Sequence, residues 1–473
     1  MLKTEDGYNP IVLARFRGHG PRSAERKRIL FYGHYDVIAA ENKQNKWITN
    51  PFSMAGIDGY LYGRGTSDNK GPIMAAIYAV AELVAQRALD SDVVFLLEGE
   101  EECGSRGFEE AIKQYKHLIG PIDWILLANS YWLDDDVPCL TYGLRGVIHA
   151  SIDICSDQPD LHSGVDGSSL LDEPLKDMVM LIGKITGARG KILIPEFYDQ
   201  VLEITLAEKL LYDEISKTLL ERDPGLGSPE ALTASLMQRW RRPTLTIHGF
   251  KTSGSEKATI IPHRAHAAIS LRIVPDQDAM DIAISLVDFL QTEFEKMGSR
   301  NHLDVIIDHQ AEPWLGDFTN EIFQTLEKAV MEVWGHHDGR RQSPVNFTQL
   351  ASDPSHRRSS TNTRCAATTS STLASSSASA SPIDKYFPTG MEPSTNRSAS
   401  KPQDYLRRPL YIREGGTIPA IRFLEKEFNA PAAHLPCGQA SDNAHLENER
   451  FRVLNLYNSK RIFKRVFLEL PKR

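Results

Sequence analysis

The chain has 473 residues, of which 41% are hydrophobic and 25% are charged, and its formal net charge is −8. This composition is ordinary for a globular protein, and the length predicts two domains with sizeable cores. The negative charge argues against nucleic-acid binding, which needs a surplus of Lys and Arg to neutralise phosphates. No apolar run approaches the roughly 20 residues that span a bilayer, and the polar first residues are unlike a signal peptide.

The cysteine pattern indicates a reducing compartment. None of the cysteines forms a CxxC pair, and their spacing gives no disulfide framework, so we expect reduced thiols in a cytoplasmic protein. The five cysteines are Cys103, Cys139, Cys155, Cys365 and Cys437.

Strands and helices alternate in the first third of the chain. This βαβ alternation predicts an α/β catalytic domain with a mostly parallel sheet covered by helices. The predicted elements are strands at 11–17, 29–32, 93–97 and 122–127 and helices at 70–88 and 107–116.

From about residue 145 the pattern changes to that of a smaller α+β lid inserted into the catalytic domain. We therefore predict three segments: the first part of the catalytic domain at 1–144, the lid at 145–311 and the second part at 312–473. The predicted lid elements are strands at 147–154, 244–248, 265–274 and 303–307 and helices at 170–185, 196–220 and 278–296.

Residues 351–404 are dominated by Ser, Thr, Ala, Asn and Arg. Such a segment cannot bury enough apolar surface to offset its ordering entropy, so we predict a disordered loop. It separates a predicted helix at 317–334 from a strand and turn at 409–419. A phosphorylated regulatory loop and a retained intron are two further interpretations that the sequence leaves open.

Three charged clusters follow or connect the predicted strands of the first domain. Glu98-Gly99-Glu100-Glu101-Glu102 follows the strand at 93–97, Gly33-His34-Tyr35-Asp36 follows the strand at 29–32, and the segment 63–71 opens the helix at 70–88. Carboxylates at the end of a buried strand are unfavourable unless a cation compensates them. The clusters therefore predict a metal site at the carboxyl edge of the sheet.

These clusters also carry a resemblance to a known family. The matching motifs are GHYDV at 33–37, GRGTSDNKG at 63–71, EGEEECGS at 98–105, YWL at 131–133, YGLRG at 142–146, DLHSG at 160–164, REGGTIP at 413–419 and SDNAH at 441–445. In this order they resemble the dinuclear-zinc metallopeptidases that include carnosinases, cytosolic nonspecific dipeptidases, acetylornithine deacetylase and aminoacylase. The resemblance covers nearly the whole chain and implies a ferredoxin-like lid.

The resemblance implies a site for two Zn²⁺ ions, with Mn²⁺ as an alternative. His34 would bind one metal, Asp68 would bridge both, and Glu102 and His445 would complete the second. Glu101 matches the general base of the family.

Two carboxylates beside these ligands are given different roles. Asp36 would belong to the catalytic set by hydrogen-bonding His34 or tuning the neighbouring base. Glu100, by contrast, is expected to point into solvent.

One ligand position departs from the family pattern. Relatives with dipeptidase activity carry an Asp where alignment on YWL places Asn129. An amide oxygen is a neutral and weaker donor, so the site beside His34 is expected to bind its metal weakly, to accept a different metal or to stay empty. A shift that recruits Asp134, Asp135 or Asp136 instead is the alternative.

Four residues are implied to bind substrate. His162 matches the lid histidine that lies over the scissile carbonyl, often reaching across a dimer, and His309 matches a second lid histidine. Arg272 matches the arginine that binds the substrate carboxylate, and Thr417 would lie near that carboxylate.

The function implied is a metal-dependent hydrolase that cleaves amide bonds of short peptides, in the degradation of glutathione and γ-glutamyl peptides. Within the family, Asn129 and the C-terminal segments are most similar to the peptidase-homologous subunit of fungal glutathione-degrading complexes. That subunit works with a glutamine-amidotransferase partner and carries a β-propeller before its peptidase half. The short N-terminus here would fit a fragment or a truncated gene model. The alternative is a metal-poor, non-catalytic or partner-dependent subunit.

Overall fold

The computed structural model describes residues 1–472 except 6, 20–25, 41–45, 167, 255–258 and 336–407. The loop predicted at 351–404 therefore lies outside the described residues. In the part that is described, no helix is long and apolar enough to cross a membrane.

The strands form two main sheets and two small ones. In chain order they are β1 (Val12–Phe16), β2 (Arg28–His34), β3 (Ala55–Ile57), β4 (Tyr60–Tyr62), β5 (Asp92–Glu98), β6 (Trp124–Leu127), β7 (Cys139–Leu144), β8 (Gly146–Cys155), β9 (Leu161–His162), β10 (Thr244–Thr252), β11 (Ile260–Ile261), β12 (Arg264–Ile273), β13 (His302–Ala311), β14 (Trp314–Leu315), β15 (Leu410–Glu414), β16 (Ala432–His434) and β17 (Arg450–Arg452).

The α-helices of the described residues lie between these strands. They are α1 (Gly71–Ala85), α2 (Phe108–Ile119), α3 (Pro174–Ile185), α4 (Leu206–Arg222), α5 (Pro229–Trp240), α6 (Ala279–Met297), α7 (Glu321–Trp334), α8 (Pro419–Phe428) and α9 (Val453–Glu469).

The larger sheet has the strand order β1-β5-β2-β6-β16-β7-β14, with β15 also paired to β7. The central pairs β5/β2, β2/β6 and β6/β16 are parallel, which confirms the predicted mostly parallel sheet. Because these strands run in the same direction, their carboxyl ends meet at one edge. The register places His34 level with Glu98 and Tyr32 level with Leu127.

Helices cover this sheet and close its core. Helix α1 packs on α9, and α9 packs on α7. The ring centroid of Phe31 in the sheet lies 5.1 Å from that of Phe95 and 5.5 Å from that of Phe463 in α9. These rings are fully buried, so α9 is part of the central core.

The second main sheet confirms the ferredoxin-like lid. Its strands have the order β10-β12-β8-β13, and all pairs are antiparallel. The chain order β8-α3-β10-β12-α6-β13 is the β-α-β-β-α-β arrangement of this fold. Apolar side chains of α3 and α6, such as Leu181 and Leu286, pack against one face of the sheet. The boundaries at 145 and 311 stay a prediction.

The segment between α3 and β10 differs from the prediction. The helix expected at 196–220 begins only at Leu206, where Thr205 caps it by accepting a hydrogen bond from the Glu208 N–H, and the sequence interpretation missed α5. Side chains of α4 and α5, including Tyr212 and Trp240, pack with Trp132. This extra pair of helices therefore lies against the loop that follows β6.

Candidate metal centre

His34 and Asp68 form the centre of the site. His34 ends the buried strand β2, and its side chain is fully buried, with Nε2 3.0 Å from Oδ1 of Asp68. The second oxygen of Asp68, Oδ2, lies 3.0 Å from Nε2 of His445. Each oxygen of Asp68 therefore faces a different histidine, which is the arrangement that a carboxylate bridging two metal ions requires.

Glu102 and His445 complete the predicted ligand set. Glu102 lies in a short turn of helix directly after β5, and its Oε2 is 3.1 Å from His445 Nε2. In the described part of the chain, the group with metal-ligand spacing consists of His34, Asp68 and Glu102, whose ligand atoms lie within 4.8 Å of one another. The structure thus brings together four residues that the sequence predicted as metal ligands.

The electrostatics of the site call for a cation. Hydrogen bonds with Asp68 and Glu102 raise the pKa of His445 to about 10. Burial opposes the charged form of His34, but the carboxylates of Asp36 and Asp68 nevertheless raise its pKa well above the usual range. In both cases a proton on the histidine compensates the surrounding carboxylates. A divalent metal ion would supply that positive charge, so the donor set fits such an ion.

Glu101 lies beside the ligands without joining them. Its Oε2 is 4.0 Å from His34 Nε2. Burial raises the pKa of Glu101 to about 8, with the nearby carboxylates of Asp68, Glu98 and Glu102 acting in the same direction. A carboxyl group held in this way can accept and release a proton near neutral pH, which is what a general base needs.

Asp36 supports two of the ligands. Its Oδ1 lies 3.3 Å from Nδ1 of His34, and its Oδ2 accepts a hydrogen bond of 2.9 Å from the backbone N–H of Glu102. Asp36 therefore orients the ring of His34 and the turn that carries Glu102.

The expectation for Glu100 was wrong. Its side chain is buried and accepts hydrogen bonds from the backbone and side chain of Asn9, and Arg106 pairs with it. Glu100 is therefore a structural anchor of the turn and does not point into solvent.

Asn129 lies at the predicted position on the His34 side of the site. Its Nδ2 is 3.4 Å from His34 Nε2, and its Oδ1 accepts a hydrogen bond from the backbone N–H of Ser130. The two ends of an amide are distinguished only by their hydrogen bonds, and a rotation of the amide would turn the oxygen towards His34.

The alternative ligands at 134–136 are engaged elsewhere. Asp134 pairs with Arg222 at 2.7 Å, and Asp135 accepts a hydrogen bond from the backbone of Ser441. Asp136 lies 3.1 Å from Arg452. These partners direct the three carboxylates away from His34, which favours the alignment that places Asn129 there.

A cavity of about 370 Å³ opens beside these residues. Asp68, Glu101 and His445 are among its lining residues, and Trp132 and Trp240 contribute apolar surface. Cavities of this size hold small ligands, and a mixed polar and apolar lining suits a short peptide.

The four residues predicted to bind substrate do not all line this cavity. Thr417 lines the cavity, and its hydroxyl accepts a hydrogen bond of 2.7 Å from Nη1 of Arg272. The imidazole ring of His309 packs against Gly104. The contact is so close that a Cβ added to this glycine would lie 3.1 Å from the ring. His162 is exposed on β9 and is absent from the described lining of the cavity. Its predicted contact across a dimer stays a prediction.

Glu449 is a residue that the sequence interpretation missed. It is fully buried and accepts hydrogen bonds from Arg64 Nη1 at 2.7 Å and from the backbone N–H groups of Gly65, Ser67 and Asp68 at 3.0 to 3.1 Å. One carboxylate therefore holds the loop that presents Asp68. It lies four residues after His445, so it also joins this loop to the segment that carries the opposite ligand.

Two further buried carboxyl groups were missed. Glu414 lines the cavity and accepts hydrogen bonds from Ser130 and Thr141, and burial raises its pKa to about 7. Asp442 accepts a hydrogen bond of 3.0 Å from Ser67, and burial raises its pKa to about 8. Both lie within the motifs that carry the family resemblance, but a motif does not show which of its side chains will be buried.

Comparison with known proteins identifies the family. Residues 30–355 match the model of the peptidase family M20/M25/M40. The chain belongs to this family. The match includes His34, Asp68, Glu101 and Glu102, and it confirms the family predicted from the motifs.

Similar proteins are peptidases from fungi and mammals. The chain is 36% identical to the "Probable di- and tripeptidase DUG2" of Saccharomyces cerevisiae over 98% of its own length and 44% of that protein. It is 30% identical to the "Beta-Ala-His dipeptidase" of Mus musculus, covering 98% of this chain and 80% of the relative. The chain thus spans less than half the length of the yeast relative.

Solved structures agree on the fold. The dipeptidase Dug1p of Saccharomyces cerevisiae matches with a TM-score of 0.71 and 26% identity, covering 98% of this chain and 83% of that one. Human carnosine dipeptidase 1 matches with a TM-score of 0.68 and 25% identity, covering 98% and 84%.

The role of Glu449 gives a testable prediction. In Glu449→Gln the buried guanidinium of Arg64 loses its counter-charge, which we expect to lower the free energy of unfolding by about 3–5 kcal/mol. The loop carrying Asp68 should loosen at the same time, so metal content after dialysis should fall. Denaturant unfolding and elemental analysis measure the two effects.

The control for this variant is Glu447→Gln. Glu447 is exposed and lies 3.5 Å from Lys46, so its substitution should change neither quantity measurably. If Glu449→Gln kept full stability and metal content, Glu449 would not be the support of the loop.

Proposed function

We propose that this chain is the peptidase part of a metal-dependent enzyme that hydrolyses dipeptides and other short peptides in glutathione and γ-glutamyl peptide degradation. The observation that supports this most directly is the position of Glu101 at 4.0 Å from His34, on the wall of the cavity that Asp68 and His445 also line. A proton acceptor, a metal-ligand set and a space for a short peptide therefore meet at one place. The names of the relatives point to the same substrate class.

The reaction divides among the residues according to their chemistry. His34, Asp68, Glu102 and His445, with Asn129, would hold the metal ions, which supply a polarised carbonyl and a water of lowered pKa. Glu101 would accept the proton of the attacking water on its carboxylate and then deliver it to the leaving amine nitrogen.

Substrate orientation is proposed to depend on Arg272 and Glu414. Arg272, whose Nη1 bonds to Thr417, would bind the carboxylate of the peptide, because a planar guanidinium matches the two oxygens of that group. Glu414 lies buried in the same cavity and would accept hydrogen bonds from the amine of the peptide.

Zinc is the metal that we propose, with manganese as the alternative. Two imidazoles and two carboxylates, with one amide, are a mixed nitrogen and oxygen donor set that suits Zn²⁺. The ion beside His34 would be held more weakly than the ion beside His445, since Asn129 brings no negative charge.

The neutral ligand also favours a second candidate function, a subunit that needs a partner for full activity. A metal site with one weak ion would be poorly active alone, and a glutamine-amidotransferase-type subunit is the partner that we propose for it. We further propose a cytoplasmic location, because the cysteines described in the structure are free and Cys103 is exposed.

A homodimer through the lid is the remaining proposed assembly. Within the described residues β13 is an edge strand of its sheet, and Met280, Ile284 and Ile306 on and beside it are exposed apolar side chains. Edge strands and apolar surfaces of this kind pair readily with a second copy. We expect sedimentation analysis to give a dimer, and Ile306→Lys to give a monomer, with Ile48→Lys on another surface as the control.

Replacing Glu101 tests the catalytic assignment. Glu101→Gln removes the proton acceptor and keeps the size of the side chain, so peptide hydrolysis should fall by about 10²–10⁴-fold. Metal content should stay unchanged, because Glu101 is not a ligand. The exposed Glu110→Gln on α2 is the control and should keep full activity. Near-normal turnover in Glu101→Gln would refute the assignment.

Replacing Asn129 tests the weak site. After dialysis against a mild chelator, the wild-type protein should retain about one zinc per chain, because the site beside His34 lacks an anionic ligand. Asn129→Asp should raise the content towards two and increase dipeptidase activity without any partner. A wild-type protein that keeps two tight ions, with no change in the variant, would remove the physical support for partner dependence.

A further inference from the structure

A row of imidazoles crosses the lid sheet on the face opposite its apolar core. His149 on β8 lies level with Ser270 on β12 and with His309 on β13. The ring of His149 is 6.3 Å from that of His248 and 6.1 Å from that of His309, with interplanar angles of 29° and 34°. The neighbouring residues of β8, Ile148 and Ala150, point into the core.

Two register shifts in the sheet place these histidines in a row. The pairing of β10 with β12 shifts register between Ile247 and Gly249, at His248, and the pairing of β13 with β8 shifts between Ile307 and His309. The shift on β10 directs His248 Nε2 to within 2.8 Å of the Ser270 hydroxyl. Bulges that re-aim side chains are common next to active sites. Two bulges at the same level of one sheet therefore indicate a functional site.

The row adjoins the proposed substrate site. His309 packs against Gly104, two residues after Glu102, and Arg272 lies two residues from Ser270 on the same face of β12. Arg272 and His149 are diagonal neighbours, because the register pairs Arg272 with Val147 and Ser270 with His149. Burial lowers the pKa of His149, and the positive charge of Arg272 acts in the same direction.

The guanidinium of Arg272 is the charged group that this place offers to a ligand. Arg272 is half-buried, its Nη1 donates to Thr417, and no ion pair of it is found among the described residues. Asp308 is the carboxylate near His149, and it accepts a hydrogen bond from Ser151. A half-buried guanidinium with imidazole N–H groups beside it is a site for an anion.

A metal ion is not the ligand that this geometry favours. The rings are stacked or tilted side by side, so their nitrogen atoms do not converge on one point. In the described residues, the group with metal-ligand spacing is the one at His34, Asp68 and Glu102.

We propose that His149 and His248, beside Arg272, form a subsite for a second carboxylate on the C-terminal residue of the peptide substrate. This proposal rests on the proposed function, in which Arg272 binds the C-terminal carboxylate. Diagonal neighbours on a sheet are roughly 7 Å apart, a distance that long side chains and the two carboxylates of one glutamate can bridge. The substrate class is therefore a short peptide that ends in an acidic residue.

A matched pair of substrates tests the subsite. Ala-Glu and Ala-Gln have nearly the same shape and differ by one negative charge, and Ala-Gly serves as the reference. The wild-type protein should give a kcat/KM for Ala-Glu about tenfold higher than for Ala-Gln, as a charge-assisted hydrogen bond provides. Equal values for the two substrates would overturn the proposal.

Substitutions in the row of imidazoles test whether it causes the preference for Ala-Glu over Ala-Gln. His149→Leu and His248→Leu, singly and together, should lower kcat/KM for Ala-Glu more than for Ala-Gln and bring the ratio towards one. His266→Leu is the matched control, since His266 lies on the same face of β12 but is 3.2 Å from Asp153. It should keep the wild-type ratio. A ratio that survives in the double variant would overturn the proposal.

A binding measurement separates this proposal from the proposed function. If none of the three peptides is hydrolysed, the proposed function fails. Calorimetric titration of the wild-type protein with L-glutamate and L-glutamine then decides the subsite, because L-glutamate should bind about tenfold more tightly. Equal affinity, or an unchanged affinity ratio in a folded double variant, would overturn the subsite itself.

Discussion

Negative charge confined to the carboxyl edge of a buried sheet is the constraint on which the rest of this molecule depends. Burial raises the pKa values of Glu98 and Glu414 to about 7 and those of Glu101 and Asp442 to about 8. Carboxyl groups in such surroundings either keep a proton or face a cation. The proposed metal binding and proton transfer would both follow from this arrangement, because some carboxylates would meet the cation while Glu101 would retain its affinity for a proton.

The parallel sheet gathers these groups at one place. His34 lies at the end of β2 and Glu98 lies level with it at the end of β5, so the loops after both strands leave from the same edge. Motifs that follow predicted strands can therefore be assigned to one site from the sequence alone. The same regularity explains why the fold class was predicted correctly, whereas the family was predicted from the motifs themselves.

Other features depend on contacts that no local pattern reveals. Helix α5 was missed because its apolar residues belong to a separate cluster, in which they pack with Trp132 and with β15 at distant positions of the chain. Glu100 was misassigned because Asn9, which is 91 residues away, and Arg106 bury its carboxylate. The histidine row depends on two register shifts, which move side chains by one position and cannot be inferred from alternation alone.

The hydrogen bonds of Glu449 have a consequence for the synthesis of the chain. Arg64 and Glu449 are 385 residues apart, and Phe463 in α9 packs into the core of the sheet that begins with β1. While a ribosome is still translating the lid, the loop that carries Asp68 has neither its buried counter-charge nor its opposing histidine. The growing polypeptide therefore cannot assemble the candidate metal centre, which forms only when the segment that carries His445 and Glu449 emerges and docks on the earlier one.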